Sequence, residues 1–213
     1  MRPSGTMRAV QGLMFVVILA VLPLVTAPGA AAMTADKAVG FIDRLGSEAF
    51  AILQQPNMTP DQREQAFGQM LHKGFNLDLI ARFVIGNHWH RATPRQREDY
   101  LDVFDAFVIK TYARRLGGFT GTGFAITGTF VVGNKGDIIV ETRIDRRSGP
   151  PIRAGWRVRE ANGVPKIIDI VVEGVSMVVT QRQEFAAVTR RGGIDGLVHA
   201  LRAQTEKLSV RAG

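Results

Sequence analysis

Four groups of residues in this chain have the types and spacing that chemistry would need. Gly174-Val175-Ser176-Met177-Val178 sits between an expected strand and an expected helix, where a hydrolase would present its nucleophile. The last glycine of G-x-S-x-G is replaced by Val178, however, so Ser176 reads first as a helix cap. An exported serine hydrolase would need to pair it with a histidine of the 88–90 segment. His88-Trp89-His90 offers two imidazoles, but His72 and His199 are the only others, and no CxxC or HExxH spacing builds a metal site; the segment reads as a partly exposed loop. Glu98, Asp99, Asp102 and Asp105 alternate with Arg95 and Arg97 on one expected helix, the pattern of a solvated face rather than of two carboxylates isolated in a cleft. The glycine-rich stretch Gly117–Gly123 lacks G-x-G-x-x-G and leads into a strand, so it reads as a flexible turn and not as a phosphate cradle. No catalytic set, metal site or cofactor is expected.

The elements that would position a site are better marked. Residues 34–54 carry Ala38, Phe41, Ile42, Leu45, Phe50 and Leu53 at mostly helical spacing and stop before Gln55-Pro56. Thr59-Pro60-Asp61-Gln62 and Thr93-Pro94-Arg95-Gln96 repeat one helix-start signal. In each, Thr caps the free amides, Pro takes the first helical position where no amide proton is missed, and Gln reaches back to the cap. Between them Asn76 predicts a short helix from Leu77 to Ile85, stopped by Gly86. The helix from Pro94 to Leu116 is long, with a broad apolar face.

Beyond it the period falls to two, and 124–132, 137–145, 152–160 and 166–172 predict four strands separated by turn-like segments, an antiparallel meander. Ile138, Val140, Thr142 and Ile144 share a buried face of the second strand, while Asp137, Glu141, Arg143 and Asp145 fall on a wet one. Gly174 ends the last strand, a helix runs from Ser176 to about Arg190, and a final helix follows Gly192-Gly193. Helices, then an antiparallel sheet, then helices again predict an α+β fold with the helices segregated to one side of the sheet.

The N-terminus has the order of a secretory signal: Arg2 and Arg8, the apolar run Leu13–Val25, then small residues ending at Ala32. The run is shorter than the roughly 20 residues a spanning helix needs, and Pro23 interrupts it, so cleavage after Ala32 is expected. Removing that segment, with its two arginines and no acid, from 213 residues at net charge +8 leaves 181 residues at +6, one domain in size. The basic residues are scattered from Lys37 to Arg211, which together with export argues against nucleic acid; a basic face suits anionic headgroups or acidic partner surfaces. The chain has no cysteine, so neither a disulfide nor a lipid-attached form is expected.

The C-terminal half reads Ile167-Ile168-Asp169-Ile170-Val171-Val172-Glu173-Gly174-Val175-Ser176-Met177, followed by Gln181-Arg182-Gln183-Glu184-Phe185. Upstream stand Val84-Ile85-Gly86-Asn87-His88-Trp89, Gln96-Arg97, Phe104 and Thr111-Tyr112-Ala113. These ordered segments resemble the toluene-tolerance, or MlaC-type, family of periplasmic phospholipid-binding proteins across nearly all of the mature chain. The chain departs from the family pattern at Pro165-Lys166, where a Trp is expected, and at Thr180-Gln181-Arg182, where many members have Asn-Tyr-Arg. The resemblance implies a nuclear-transport-factor-like fold, a curved four-stranded sheet wrapped by helices around an apolar cavity. It also implies a periplasmic shuttle that exchanges phospholipid with an outer-membrane lipoprotein complex and an inner-membrane ABC transporter complex without catalysing a reaction. A carrier of another envelope lipid such as a hopanoid, the serine hydrolase above and a non-binding envelope scaffold are the alternatives.

On that reading the candidate lipid-binding residues are Phe104, Phe107, Val108 and Tyr112 of the long helix, Ile126, Ile138, Val140, Trp156 and Ile170 of the sheet, and Val175 and Val179 beyond it. One periodicity serves a filled core and a lined cavity alike, so both roles stand open for each. Arg182 interrupts an apolar helix side, either at a pocket mouth near a phosphate or paired with a carboxylate.

Overall fold

The computed structural model describes residues 33–116 and 121–210. The expected signal peptide and most of the glycine-rich turn before the sheet lie outside the described residues. Helix α1 (Ala35–Leu53) starts at Thr34, whose hydroxyl accepts from the Lys37 amide; α2 (Pro60–Gly74) starts on a complete capping box between Thr59 and Gln62. Asn76 caps α3 (Leu77–Ile85) through the Leu79 amide at 3.0 Å, and Gly86 ends it at φ 60°, a conformation that favours glycine. Where a loop was expected at His88-Trp89-His90, the chain makes one more turn, α4 (His88–Arg91), because the Ala92 amide closes back on the His88 carbonyl. Helix α5 (Pro94–Leu116) follows; Thr93 and Gln96 repeat the reciprocal bonds of the capping box.

The sheet is a curved antiparallel meander, β1 (Gly121–Val132), β2 (Asp137–Arg146), β3 (Ile152–Ala161), β4 (Val164–Val172) and β5 (Val175–Ser176), in sequential order. Five strands replace the four expected. Glu173 and Gly174 both take positive φ, 48° and 83°, and such a two-residue turn folds the chain back into a hairpin instead of merely ending the strand. Val175 and Ser176 therefore pair with Val172 and Val171. The Asn162-Gly163 turn between β3 and β4 is built in the same way. Helix α6 (Met177–Val210) is broken at Gly193, where φ is 63° and ψ −159°, so it acts as the two helices read from the sequence.

Two apolar cores divide the fold. One lies among helices, where Ala81, Val84, Tyr100, Phe104, Phe107, Phe185, Leu197 and Leu201 are buried together. Inside it the buried Tyr100 hydroxyl donates to the Ala81 carbonyl at 2.9 Å, which locks α5 to α3. The other lies between α1, α2, α5 and the sheet, with Ala38, Ile42, Leu45, Phe67, Leu71, Ile138, Val140, Val158 and Ile167. The Asn76 amide donates to the Ile167 carbonyl at 3.0 Å and pins the α2–α3 junction to β4.

The face of β2 expected to be wet holds one exception. Asp137 is 1% exposed, because Arg157 and Arg159 of the neighbouring strand fold over it. Alternation assigns it to the solvent side, but two long guanidinium side chains on the adjacent strand supply their own cover.

Among the described residues no helix is long and apolar enough to cross a membrane, and no cluster of His, Cys, Asp or Glu is arranged to hold a metal ion.

Candidate functional site

A cavity of about 180 Å³, within about 1070 Å³ of atom-free space that includes its open mouth, lies between the helices and the concave side of the sheet. Helix α1 contributes Ile42, Leu45, Ala49 and Leu53; α2 contributes Phe67, Met70 and Leu71; α3 contributes Leu77, Ile80 and Val84. From α5 come Phe104, Val108 and Tyr112, spaced four apart so that they stack along one face. The sheet adds Phe124, Trp156 and Ile170, and the first turns of α6 add Met177, Val178 and Gln181.

The polar groups in this wall are already engaged. Trp156 Nε1 donates to Thr142 Oγ1 at 2.8 Å, and that hydroxyl donates in turn to the Ala154 carbonyl at 3.0 Å, so the indole is satisfied within the sheet. Asp169 accepts from the Ser176 hydroxyl at 2.6 Å through Oδ2 and from the Val178 amide at 3.2 Å through Oδ1, where a carboxylate suits the N-terminus of α6. Gln181 Nε2 donates to Glu184 at 2.9 Å. An alkyl chain entering a void lined in this way meets apolar walls and leaves the paired polar groups undisturbed.

Gly46 sets the width of the cavity at one point. A Cβ there would come within 2.8 Å of the Phe124 ring, so the glycine lets that ring lie against α1. A helix-interior glycine costs about 0.5–1 kcal/mol relative to alanine, and here the close ring contact is the return.

The structure brings Phe104, Val108, Tyr112, Trp156 and Ile170 together in the cavity wall. Ile138 and Val140, on β2, are fully buried in the sheet-side core, and Ile126 packs partly buried against the same core. Phe107 faces the helical core, where its ring meets Phe185 at 6.0 Å. Val175 and Val179 are exposed, 53% and 44%, and flank Met177 and Val178, which do line the cavity. Arg182 makes an aromatic contact. Its guanidinium lies over the Phe83 ring at 4.9 Å and beside Gly86 at the end of α3, and among the described residues no carboxylate pairs with it. The α1–α3 lining escaped sequence reasoning. Its helical stripes were visible, but a stripe does not say whether its partner is a neighbouring side chain or a void.

Ser176 is a cap in geometry as well as in pattern: its Oγ accepts from the Val179 amide at 3.1 Å while donating to Asp169, and no histidine bonds to it. Trp89 lies between two guanidinium groups, Arg82 at 4.9 Å and Arg97 at 5.2 Å, so the 88–90 segment serves packing. On α5, Asp105 hydrogen-bonds the His72 ring at 2.7 Å and Asp99 pairs with Arg202 at 3.7 Å, both at the surface.

Comparison with known proteins places this architecture. The chain is similar to the intermembrane phospholipid transport system binding protein MlaC of Haemophilus influenzae, 25% identical over 126 residues that cover 58% of this chain and 59% of that one. The match thus spans less than two thirds of the relative. The fold is that of the phospholipid-binding protein from Ralstonia solanacearum, solved in complex with a phospholipid; the two superpose with a TM-score of 0.70 at 24% identity, over 80% of this chain and 97% of the other. The model of the MlaC protein family matches residues 43–203, and the chain therefore belongs to the MlaC family.

Proposed function

We propose that this protein is a periplasmic phospholipid carrier, exported by residues 1–32, that holds acyl chains in the apolar cavity and catalyses no reaction. The observation that carries the reading is the cavity wall itself: aliphatic and aromatic from α1 to α6, with its few polar groups paired inside the protein. Membership of the MlaC family supports it, as do a relative named for intermembrane phospholipid transport and a structural neighbour bound to a phospholipid. At ~0.8 kcal/mol per methylene, exposing the ~30 methylenes of a two-chain lipid to water costs on the order of 24 kcal/mol, so lipid crosses an aqueous gap only inside a carrier.

In this reading Phe104, Val108, Tyr112, Trp156 and Ile170 touch the acyl chains, while Phe107, Ile126, Ile138 and Val140 back the walls. Val175, Val179 and Arg182 lie outside the cavity lining, near its α6 wall. Lipid is received from and delivered to an outer-membrane lipoprotein complex and an inner-membrane ABC transporter complex. Mass spectrometry of the protein purified without detergent is expected to show bound diacyl phospholipid, and labelled lipid is expected to pass from vesicles to the protein. A bound hopanoid in its place would change the cargo; absence of both bound lipid and uptake would overturn the carrier.

A further inference from the structure

Helix α5 has a second hollow behind it. Between α5 and the two halves of α6 lies a cavity of about 190 Å³ that has Tyr112, Met177 and Gln181 in common with the apolar one and so shares a wall with it. Its wall is of another kind. Thr111, Thr180, Glu184 and Gln204 stand among the rings of Phe107 and Phe185, and neither lysine nor arginine lines it.

Thr111 is the informative member. The hydroxyls of Thr180, Thr189 and Thr205 each donate to the carbonyl four residues earlier, at 2.9, 3.0 and 2.8 Å. Thr111 is 7% exposed, and its hydroxyl has no hydrogen-bond partner among the described residues. A buried hydroxyl without a partner is a cost to the fold that a ligand donor would remove. Glu184 gives one carboxylate oxygen to Gln181, which leaves the other as an acceptor.

We infer that this second cavity binds an ammonium group. A carboxylate and two aromatic rings with no competing cation favour a cation over an anion, and the hydroxyl adds an acceptor for it. The inference rests on the carrier reading in one respect: because the two cavities share a wall, the headgroup of an ethanolamine phospholipid whose chains lie in the apolar cavity is one source of that group. A free alkylamine is the other source of the same chemistry.

Two arms test this and separate it from the carrier reading. In the first, the full mature chain is offered mixed vesicles of phosphatidylethanolamine and phosphatidylglycerol with equal chains. The expected result is at least ~5-fold enrichment of the ethanolamine lipid on the protein, falling to near parity in Glu184→Gln and in Thr111→Val. Thr111→Val is isosteric and removes the unpaired hydroxyl, so it is expected to unfold at the same or a higher temperature. In the second arm, ethanolamine alone is titrated while amide resonances are followed by NMR; shifts centred on Thr111, Thr180 and Glu184 that vanish in Glu184→Gln support the site without any lipid uptake. Such shifts without lipid selectivity assign the site to a free amine. Equal uptake of the two lipids by the wild type, together with no ethanolamine shifts, overturns the inference whether or not the protein carries lipid.

Discussion

The two apolar regions of this molecule are built from the same residue types and are held in opposite ways. In the helical core, away from the side of Phe107 and Phe185 that borders the second cavity, rings meet rings: Tyr100 and Phe104 at 5.8 Å, Phe104 and Phe185 at 6.2 Å edge to face, Phe107 and Phe185 at 6.0 Å. Between helices and sheet the comparable side chains line a void, and the polar contacts gather at its margin. Lys166 donates to the carbonyls of His72 and Lys73 at 2.9 and 2.7 Å, Lys37 reaches Gly163 and Glu160 at 3.0 and 2.9 Å, and Asp137 holds Arg157 and Arg159. A filled core holds itself together by dispersion and burial. A hollow one forgoes those contacts on one side, so its walls are kept apart and in place by hydrogen bonds that do not depend on what fills the middle. The difference yields a ranking of what each kind of substitution costs.

The largest effect belongs to the filled side. Tyr100→Ala removes a ring that is fully buried, lines neither cavity and meets Phe104 at 5.8 Å, and is expected to destabilise the lipid-free protein by about 3–5 kcal/mol in guanidinium unfolding. Phe124→Ala removes a ring of similar size from the cavity wall, where one side of the ring already lacks partners, and is expected to cost less than half as much. Equal costs would show that the cavity is closed and packed in the lipid-free protein.

Next comes the brace. Asp137→Asn leaves two guanidinium groups facing a neutral amide; because both arginines are partly exposed, we expect about 2–3 kcal/mol, below the range for fully buried pairs. The pH dependence has a definite sign. Burial pushes the Asp137 carboxyl up, but hydrogen bonds from Arg159 and Arg157, with their charges, outweigh it and hold the group below the usual carboxylate range. A carboxylate lowered in the folded state contributes stability that is present above its unfolded value of about 3.9 and is lost as pH falls through the folded value. The wild type is therefore expected to lose stability below about pH 4 more steeply than Asp137→Asn, in urea melts run at a series of pH values. Parallel curves would show that the triad is not what braces the sheet.

This contrast also explains what the sequence disclosed. Helix boundaries were legible because their signals are local: Thr59 with Gln62, Asn76 with Leu79, and Gly86 at positive φ each act within four residues. The meander was legible from alternation and from turns such as Asn162-Gly163. The short β5 was missed because the pairing depends on two successive positive φ values, one of them at Glu173, a residue type that does not advertise them. Asp137 was misplaced because alternation assigns faces and takes no account of long side chains from the next strand. Of the residues nominated from the sequence, Phe104, Val108, Tyr112, Trp156 and Ile170 line the cavity, whereas Phe107 faces the helical core and Ile138 and Val140, with the same periodicity, lie behind the wall. Whether an apolar residue packs against a neighbour or a void depends on the curvature of the sheet and on the stand-off of α1, and the latter involves contacts far apart in the chain, such as Gly46 with Phe124 and Lys37 with Gly163.

The smallest effect on stability carries the sharpest functional consequence. Ala49 on α1 lines the cavity with a single methyl group, between the larger Leu45 and Leu53. In a filled core, enlarging such a residue costs typically ~1–3 kcal/mol because neighbours must move. Ala49→Phe places its ring in empty space, where new dispersion contacts offset whatever adjustment the walls make, and we expect less than ~1 kcal/mol of change in the lipid-free protein. The ring then occupies volume an acyl chain would take. Labelled phospholipid transfer from vesicles is expected to fall at least tenfold, and bound lipid is expected to disappear from the purified variant. Ala81→Phe in the helical core, where Ala81 is fully buried, is expected to do the reverse: stability falls by several kcal/mol, and whatever protein remains folded still takes up lipid. If Ala49→Phe destabilised the protein as strongly as Ala81→Phe, the two regions would be one continuous packed core and the carrier reading would lose its cavity.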